Sequence, residues 1–251
     1  MAIDKKRLVI GFHAVEDLLN STTTVGKVFI NKAADRQKIG VLRQLAKKRE
    51  IPFQMVPLEK LNRLTKANHQ GVVAIKSPID FVPLEETITR LYEEGKLPKV
   101  VVADGIQDVR NLGAIARSCL AFDVDLLVMG TKANAEIGEG AMKSSAGALL
   151  KLPVCRVSSL DNTLNYLKSW GVIQLGASEK AEQFDLNKLD IQQQGWALWM
   201  GNEDRGLSRE RQEKLDGMIK IGMNPAVDSL NVSVATGILL LPERLKNGAY
   251  G

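Results

Sequence analysis

The chain has 251 residues, 45% hydrophobic and 25% charged, with a net charge of +5, the composition of a folded globular protein of one large or two modest domains. Two cysteines, Cys119 and Cys155, and two histidines, His13 and His69, are too few for a disulfide framework or a multi-residue metal site; no metal is expected, and a reducing cytoplasm fits. No apolar run approaches the roughly 20 residues that cross a bilayer, and Met1–Val9 lacks an apolar signal core.

Residues 1–78 predict a small α/β unit. Ala14–Leu19 reads as a helix and Val25–Asn31 as a strand. Arg36–Arg49 reads as an amphipathic helix, with Ile39, Leu42, Leu45 and Ala46 on one face. Its other face carries Lys38, Arg43, Lys47, Lys48 and Arg49. Phe53–Val56 and Gly71–Lys76 read as strands, with a helix near Leu58–Lys66 between them. This unit holds 15 Lys and Arg against 6 Asp and Glu, a net of +9, while residues 79–251 hold 19 against 23, a net of −4. A localised basic face is the footprint of a polyanion partner, or else a solvated face with none. Pro78 and Pro83 punctuate the chain, and Leu84–Glu94 reads as an acidic helix closed by Gly95-Lys96-Leu97-Pro98. Residues 79–97 are taken as a connecting segment.

From residue 99 short apolar strands alternate with helices. The strand candidates are Val100–Ala103, Leu126–Met129, Val154–Val157, Val172–Leu175, Ala197–Met200 and Met218–Ile221. Such alternation predicts a mainly parallel sheet covered on both faces. Ligands of such sheets bind at the carboxyl ends of the strands.

Three segments at strand ends carry the chemistry. The first runs from Asp104 to Ser118 and includes Asn111 and Arg117. Two readings fit it: both side chains lie at the mouth of one pocket, with Arg117 held near a core by an anionic partner or ligand, or Asn111 caps a helix and Arg117 reaches water. The second is Met200-Gly201-Asn202-Glu203-Asp204-Arg205-Gly206-Leu207-Ser208, a glycine-bracketed acidic loop in which Ser208 is placed to cap the next helix. It lacks the lysine of a phosphate-binding loop, which argues against a nucleoside triphosphatase. The third contains Ser229, Asn231 and Ser233 ahead of the apolar helix Val234–Leu241. Three consecutive caps are redundant, so some of these groups are expected to face a ligand. A weaker small-residue turn, Leu175-Gly176-Ala177-Ser178-Glu179, follows another strand, and no dinucleotide-binding glycine fingerprint follows any.

Together the segments Asn111-x5-Arg117, Gly201-x-Glu203-x2-Gly206-Leu207 and Ser229-Leu230-Asn231-Val232-Ser233-Val234-Ala235 resemble the SpoU, or TrmH-like, family of RNA ribose 2′-O-methyltransferases. Gly11-x-His13-Ala14-Val15 and His69-Gln70-Gly71-Val72-Val73-Ala74 resemble the ribosomal-protein-like substrate-binding domain of the branch that methylates a guanosine of 23S rRNA. One departure stands in the first segment, where Val109 follows Asp108 in place of the family's usual proline.

The resemblance implies an α/β chain of two parts. Residues 1–78 form a small RNA-binding domain, 79–97 a linker, and 98–251 a catalytic domain with a mainly parallel sheet threaded as a trefoil knot of the SPOUT type. It implies S-adenosylmethionine as cofactor, gripped by Ala177, Ser178, Met200, Gly201, Asn202, Gly206, Ile221, Met223, Leu230 and Val232, where small residues let the backbone approach the ligand. It implies Arg117 as the key catalytic group, a fixed cation that stabilises the developing alkoxide, since arginine stays protonated. Asn111, Glu203, Ser229 and Asn231 orient the reactants. Arg43, Lys47, Lys48, Arg49 and Arg110 are the candidate RNA contacts. The implied partners are RNA, either 23S rRNA or a large-subunit assembly intermediate, and a second copy of the chain. A tRNA target, or a noncatalytic assembly factor on the same fold, are the alternatives.

Overall fold

The computed structural model of the chain describes residues 5–131, 134–179 and 194–246, and it divides into two compact units. Residues 1–4 of the amino-terminal segment and 247–251 of the expected catalytic span lie outside the described residues.

The first unit comprises Met1–Asp80 with Glu136–Glu139. Its four strands are β1 (Leu8–Ile10), β2 (Val25–Asn31), β3 (Phe53–Val56) and β4 (Val72–Lys76), ordered β1-β4-β2-β3. β4 runs antiparallel to β1 and β2, and β3 runs parallel to β2. Helices α1 (Phe12–Asn20) and α2 (Arg36–Lys48) bury Val15, Leu19, Leu42 and Ala46 against Val28 and Ile30. α3 (Leu58–Leu64) seats Leu61 with Phe29, Val56, Val73 and Ile75. β4 begins one residue later than the sequence suggests, because Gly71 sits at φ 79° in a turn. The Gly71 N–H donates to His69 Nδ1 at 3.0 Å, which leaves Nε2 to donate to Asn62 Oδ1 at 2.9 Å. His69 is thereby a satisfied structural residue of the turn. β1 was not foreseen: three residues are too short to show a period.

The second unit comprises Phe81–Ala135 and Gly140–Gly251. Its strands are β5 (Lys99–Ala103), β6 (Leu126–Gly130), β7 (Val154–Val157), β8 (Ile173–Ala177), β9 (Trp196–Met200) and β10 (Gly217–Ile219). They pair in the order β10-β8-β9-β5-β6-β7, and every pairing is parallel. β6 and β9 are buried along their whole length, so they read as continuous apolar runs, as strands covered on both faces do. The helices are α4 (Leu84–Glu93), α5 (Val109–Ala121), α6 (Glu139–Ser144), α7 (Leu160–Ser169), α8 (Arg209–Lys214) and α9 (Val232–Lys246). α4 is more than a connector: Ile88 and Leu91 are buried in one core with Val100, Val102, Leu167 and Trp199. β10 ends at Ile219, two residues short of the expected strand, because the chain turns into the site loop there. Among the described residues, no helix is long and apolar enough to cross a membrane.

β5 is the switch point of the sheet. The chain goes from β5 to β6 and β7 on one side, and returns to β9, β8 and β10 on the other. The crevice at such a reversal is where doubly covered parallel sheets bind ligands.

Candidate functional site

The carboxyl ends of β8, β9 and β10 open into a cleft of about 140 Å³ within the second unit. Its lining includes Ala177, Ser178, Met200, Gly201, Asn202, Gly206, Ile221, Met223, Leu230 and Val232, the ten residues named from sequence for the cofactor. Glu203 and Ser229 line it too, with Ile219, Ala235 and Leu239 on its apolar side. Asn111, Asn231 and Arg117 are outside that lining.

The loop after β9 is a closed turn. Asn202 and Gly206 exchange N–H···O bonds at 3.1 and 2.8 Å. Asn202 Oδ1 accepts from the N–H groups of Asp204 and Arg205 at 3.1 Å, and its Nδ2 donates to Gly105 O at 2.8 Å. Asn202 thus fastens this loop to the one after β5. A Cβ on Gly201 would stand 2.3 Å from Gly206 C and Leu207 N. Besides the expected room for a ligand, the turn itself demands glycine here.

Glu203 joins the segments. Its carboxylate accepts from Gln107 N at 3.2 Å, Asp108 N at 3.1 Å and Asn111 Nδ2 at 3.2 Å. Asn111 Oδ1 in turn accepts from Asn231 Nδ2 at 3.0 Å. Asn231 Oδ1 caps α9, accepting from Ser233 N at 2.9 Å and Ser233 Oγ at 2.6 Å. One chain of hydrogen bonds therefore runs through all three sequence segments. The redundancy of caps resolves: Asn231 caps, Ser233 supports it, and the Ser229 hydroxyl lines the cleft. Asn111 sits inside α5, whose cap is Asp108 accepting from Arg110 N at 2.7 Å.

Electrostatics follow the contacts. Partial burial pushes the Glu203 carboxyl up, but N–H donors from Glu203 itself, Asp108, Asn111 and Gln107 outweigh it and hold the group below its ordinary value. The Arg110 guanidinium and backbone N–H hold Asp108 down at about 2. A depressed Glu203 contributes stability fully present above its ordinary value near 4.5 and lost as pH falls through the lower folded value. Urea unfolding of the native chain and of Glu203→Gln at pH 7 and pH 3 tests this. The stability gap between them is expected to narrow at pH 3, and a constant gap rules it out.

Several expected placements need correction. Arg117 is exposed and, among the described residues, makes no hydrogen bond or ion pair. It stands six residues beyond Asn111 on α5, about 9 Å along the helix and about 120° around it. Of the two sequence readings, that geometry disfavours a shared pocket mouth, and Arg117 reaches water as the other reading has it. Arg49 ends α2 and donates to the carbonyls of Leu18, Leu19 and Thr23 at 3.2, 3.0 and 2.9 Å, so its guanidinium is occupied within the unit. Arg110 is exposed and ion-paired to Asp108 at 2.6 Å. Arg43, Lys47 and Lys48 are exposed on α2. Both cysteines are buried, and burial pushes the Cys119 thiol up, so neither is a nucleophile.

Residues 98–241, which carry this whole arrangement, match the model of the SpoU rRNA methylase family. The chain belongs to that family. Residues 8–82 match a second model, the substrate-binding domain of RNA ribose 2′-O-methyltransferases. A Staphylococcus haemolyticus protein assigned to the TrmH family of tRNA/rRNA methyltransferases is 33% identical over 234 residues, 93% of each chain. A Staphylococcus aureus relative of the same description is 32% identical over 93% of each chain. Among solved structures, the SpoU methyltransferase AviRb of Streptomyces viridochromogenes, complexed with AdoMet, is similar with a TM-score of 0.59 and 20% identity, covering 96% of this chain and 90% of that one. The TrmH/SpoU tRNA modifying enzyme of A. aeolicus is 28% identical with a TM-score of 0.53, covering 66% of this chain and 84% of that one. This member of the SpoU family is an RNA methyltransferase on a fully parallel α/β sheet.

Proposed function

We propose that the protein transfers a methyl group from S-adenosylmethionine to a ribose 2′-hydroxyl of RNA, a guanosine of 23S rRNA. The observation that carries the reading is the cleft at the carboxyl ends of β8, β9 and β10, with Glu203 of its lining starting the hydrogen-bond chain Glu203–Asn111–Asn231. The substrate-binding model over residues 8–82 supports RNA as substrate and ribose as the target.

The cleft suits the cofactor. Ile219, Ile221, Leu230 and Leu239 offer an apolar wall for a nucleobase, and the Ser229 hydroxyl and the main chain of 200–206 offer polar contacts. When bound, S-adenosylmethionine supplies a methyl group activated by a sulfonium. The protein's part is positioning, which alone supplies roughly 7–11 kcal/mol. Glu203 holds the start of α5 through Gln107 and Asp108, and Asn111 and Asn231 lock that helix to α9. Its carboxylate is held ionised by N–H donors, so it serves as an anchor. Arg117 stabilises the alkoxide and an adjacent phosphate, and water or phosphate takes the proton.

Arg117 reaches a cleft from a second copy of the chain. Supporting this, α5 packs on α9, and the α9 residues Val234, Ile238 and Leu241 are 51%, 41% and 38% exposed, an i, i+4, i+7 apolar stripe that a homodimer would cover. The trefoil threading and the cytoplasmic setting belong to the same reading. So does the division of labour between a substrate-binding region over 1–78 and a catalytic region over 98–251.

Incubation with methyl-labelled S-adenosylmethionine and total RNA, followed by size separation and nucleoside analysis, tests the proposal. Labelled 2′-O-methylguanosine in 23S rRNA is expected. Label confined to tRNA or to a base methyl group refutes the target.

The basic first unit gives a further expected result. Each phosphate contact contributes about −0.7 on a single strand, or about −0.9 on a duplex, to the slope of log affinity against log salt. Changing Arg43, Lys47 and Lys48 together to Gln in the full chain is expected to flatten that slope by up to about 2 on a single strand or about 2.7 on a duplex. An unaltered slope assigns α2 to a merely solvated face. Arg49 is left in place because its loss would disturb the α1–α2 packing.

A further inference from the structure

Beneath the cleft lies a cation that the proposed mechanism does not use. α8 follows the Gly201–Gly206 loop and buries none of its own residues; apolar packing holds only its flanks, at Leu207 and Leu215. Its anchor is Arg211, whose side chain is only 10% exposed. Arg211 Nε donates to Asp104 Oδ2 at 3.0 Å, and its Nη1 donates to Asp161 Oδ1 at 3.0 Å. The guanidinium lies 4.9 Å from the centroid of the Trp199 ring. Trp199 is itself fully buried: it donates from Nε1 to Gln174 Oε1 at 2.8 Å, and the buried Gln174 donates onward to Val172 O at 2.7 Å.

The partners place Arg211 between two parts of the site. Asp104 is the first residue after β5 and heads the segment that carries Asn111. Trp199 is the penultimate residue of β9, two before Gly201. Gln212, the neighbour of Arg211, donates to Leu207 O at 2.7 Å and closes the far end of the loop. A removable buried ion pair is weak evidence for stability as such, because desolvation offsets its attraction. A planar fork that meets two carboxylates while lying on an indole is, however, a specific geometric device that lysine cannot reproduce.

We propose that Arg211 is a positioning residue for methyl transfer: by holding Asp104, Asp161 and the Trp199 ring together, it sets the loop Gly201–Gly206 at the height the cofactor cleft requires. This rests on the function proposed above. The loop's closure is otherwise local, through the Asn202–Gly206 pair and the Asn202 contact to Gly105. Without Arg211 the segment from Gly206 to Lys214 loses its tie to Asp104 after β5 and keeps the Asn202–Gly206 pair, the contacts around Leu207 and the Lys214–Asp161 ion pair at 2.8 Å.

The test uses the full-length protein, with Arg211→Met, Arg211→Lys and Asp161→Asn. Calorimetry gives the S-adenosylmethionine Kd, single turnover at saturating cofactor gives the transfer rate, melting gives global stability, and amide exchange reports the Gly206 N–H. Arg211→Met is expected to raise Kd at least about tenfold and to speed exchange at Gly206, with a smaller effect on the saturated rate. Arg211→Lys is expected to recover only part of the affinity. Asp161→Asn is expected to stay within about threefold, since Asp161 is half exposed and Arg211 keeps Asp104 and the ring. A folded Arg211→Met or Arg211→Lys protein with native Kd and native Gly206 exchange overturns the positioning role, even if its melting temperature falls. Failure of the unaltered protein to bind S-adenosylmethionine overturns the function reading, and this inference with it.

Discussion

Arg117→Ala is expected to slow single-turnover methyl transfer by about 10²–10³-fold, the loss seen when one preorganised charge-stabilising donor is removed. It should leave S-adenosylmethionine binding and melting unchanged, because the native side chain is exposed, stands outside the cleft lining and makes no polar contact among the described residues. Arg117→Lys should recover little, since a point charge does not replace a planar fork. Near-native turnover in a folded Arg117→Ala protein would sink the assignment. A mixed dimer decides which subunit the arginine serves. One chain carries Arg117→Ala with an intact cleft, and the other keeps Arg117 but carries Gly201→Val, which its own turn cannot accommodate. Activity restored on mixing places Arg117 across the dimer. No restoration, with heterodimers present, keeps it within its own subunit.

Glu203→Gln should be the other severe change. The carboxylate accepts from two backbone N–H groups and from the side-chain amides of Asn111 and, at 3.4 Å, Asn202. A glutamine presents one oxygen and an NH2 group to those donors, so at least one is left facing another donor. An orphaned donor costs about 1–3 kcal/mol, and the partial exposure of the site favours the lower end. The kinetic effect should be larger. Freed from Glu203, the start of α5 shifts and takes Asn111 and its link to Asn231 along, and a displacement of about 1 Å at a reacting site costs about 10²-fold. Turnover with saturating cofactor and urea unfolding, measured together, check both parts. A stability loss without a rate loss would make Glu203 a scaffold residue only.

The alternation of apolar strands and helices was legible because β5 to β9 are buried on both faces and carry little else. The cleft lining was legible through the resemblance, whose motifs name the loops after β8, β9 and β10 that line it. Three things were not. Arg117, flanked by Ile115 and Cys119, was open between a place near a core and a reach to water, and only the helix phase shows that it faces outward while they face in. Arg49 looked like one more surface cation in a basic run, but only the fold shows the three carbonyls it meets. Arg211 gave no signal at all, because its partners Asp104 and Asp161 lie 107 and 50 residues away. Periodicity reports which face a residue takes, and is silent on which distant group it finds there.

The Asn111–Asn231 bond has a consequence for synthesis. The two residues are 120 positions apart, and β9 inserts beside β5 only after β6, β7 and β8 have been made. The first unit pairs its strands within the first 76 residues. On the ribosome, then, the basic unit can close early, while the cleft cannot exist until α9 has emerged. Contacts so distant in sequence also close slowly, because the chain entropy of the loop is lost before the contact repays it. A nascent chain would thus be able to hold an RNA well before it could modify one.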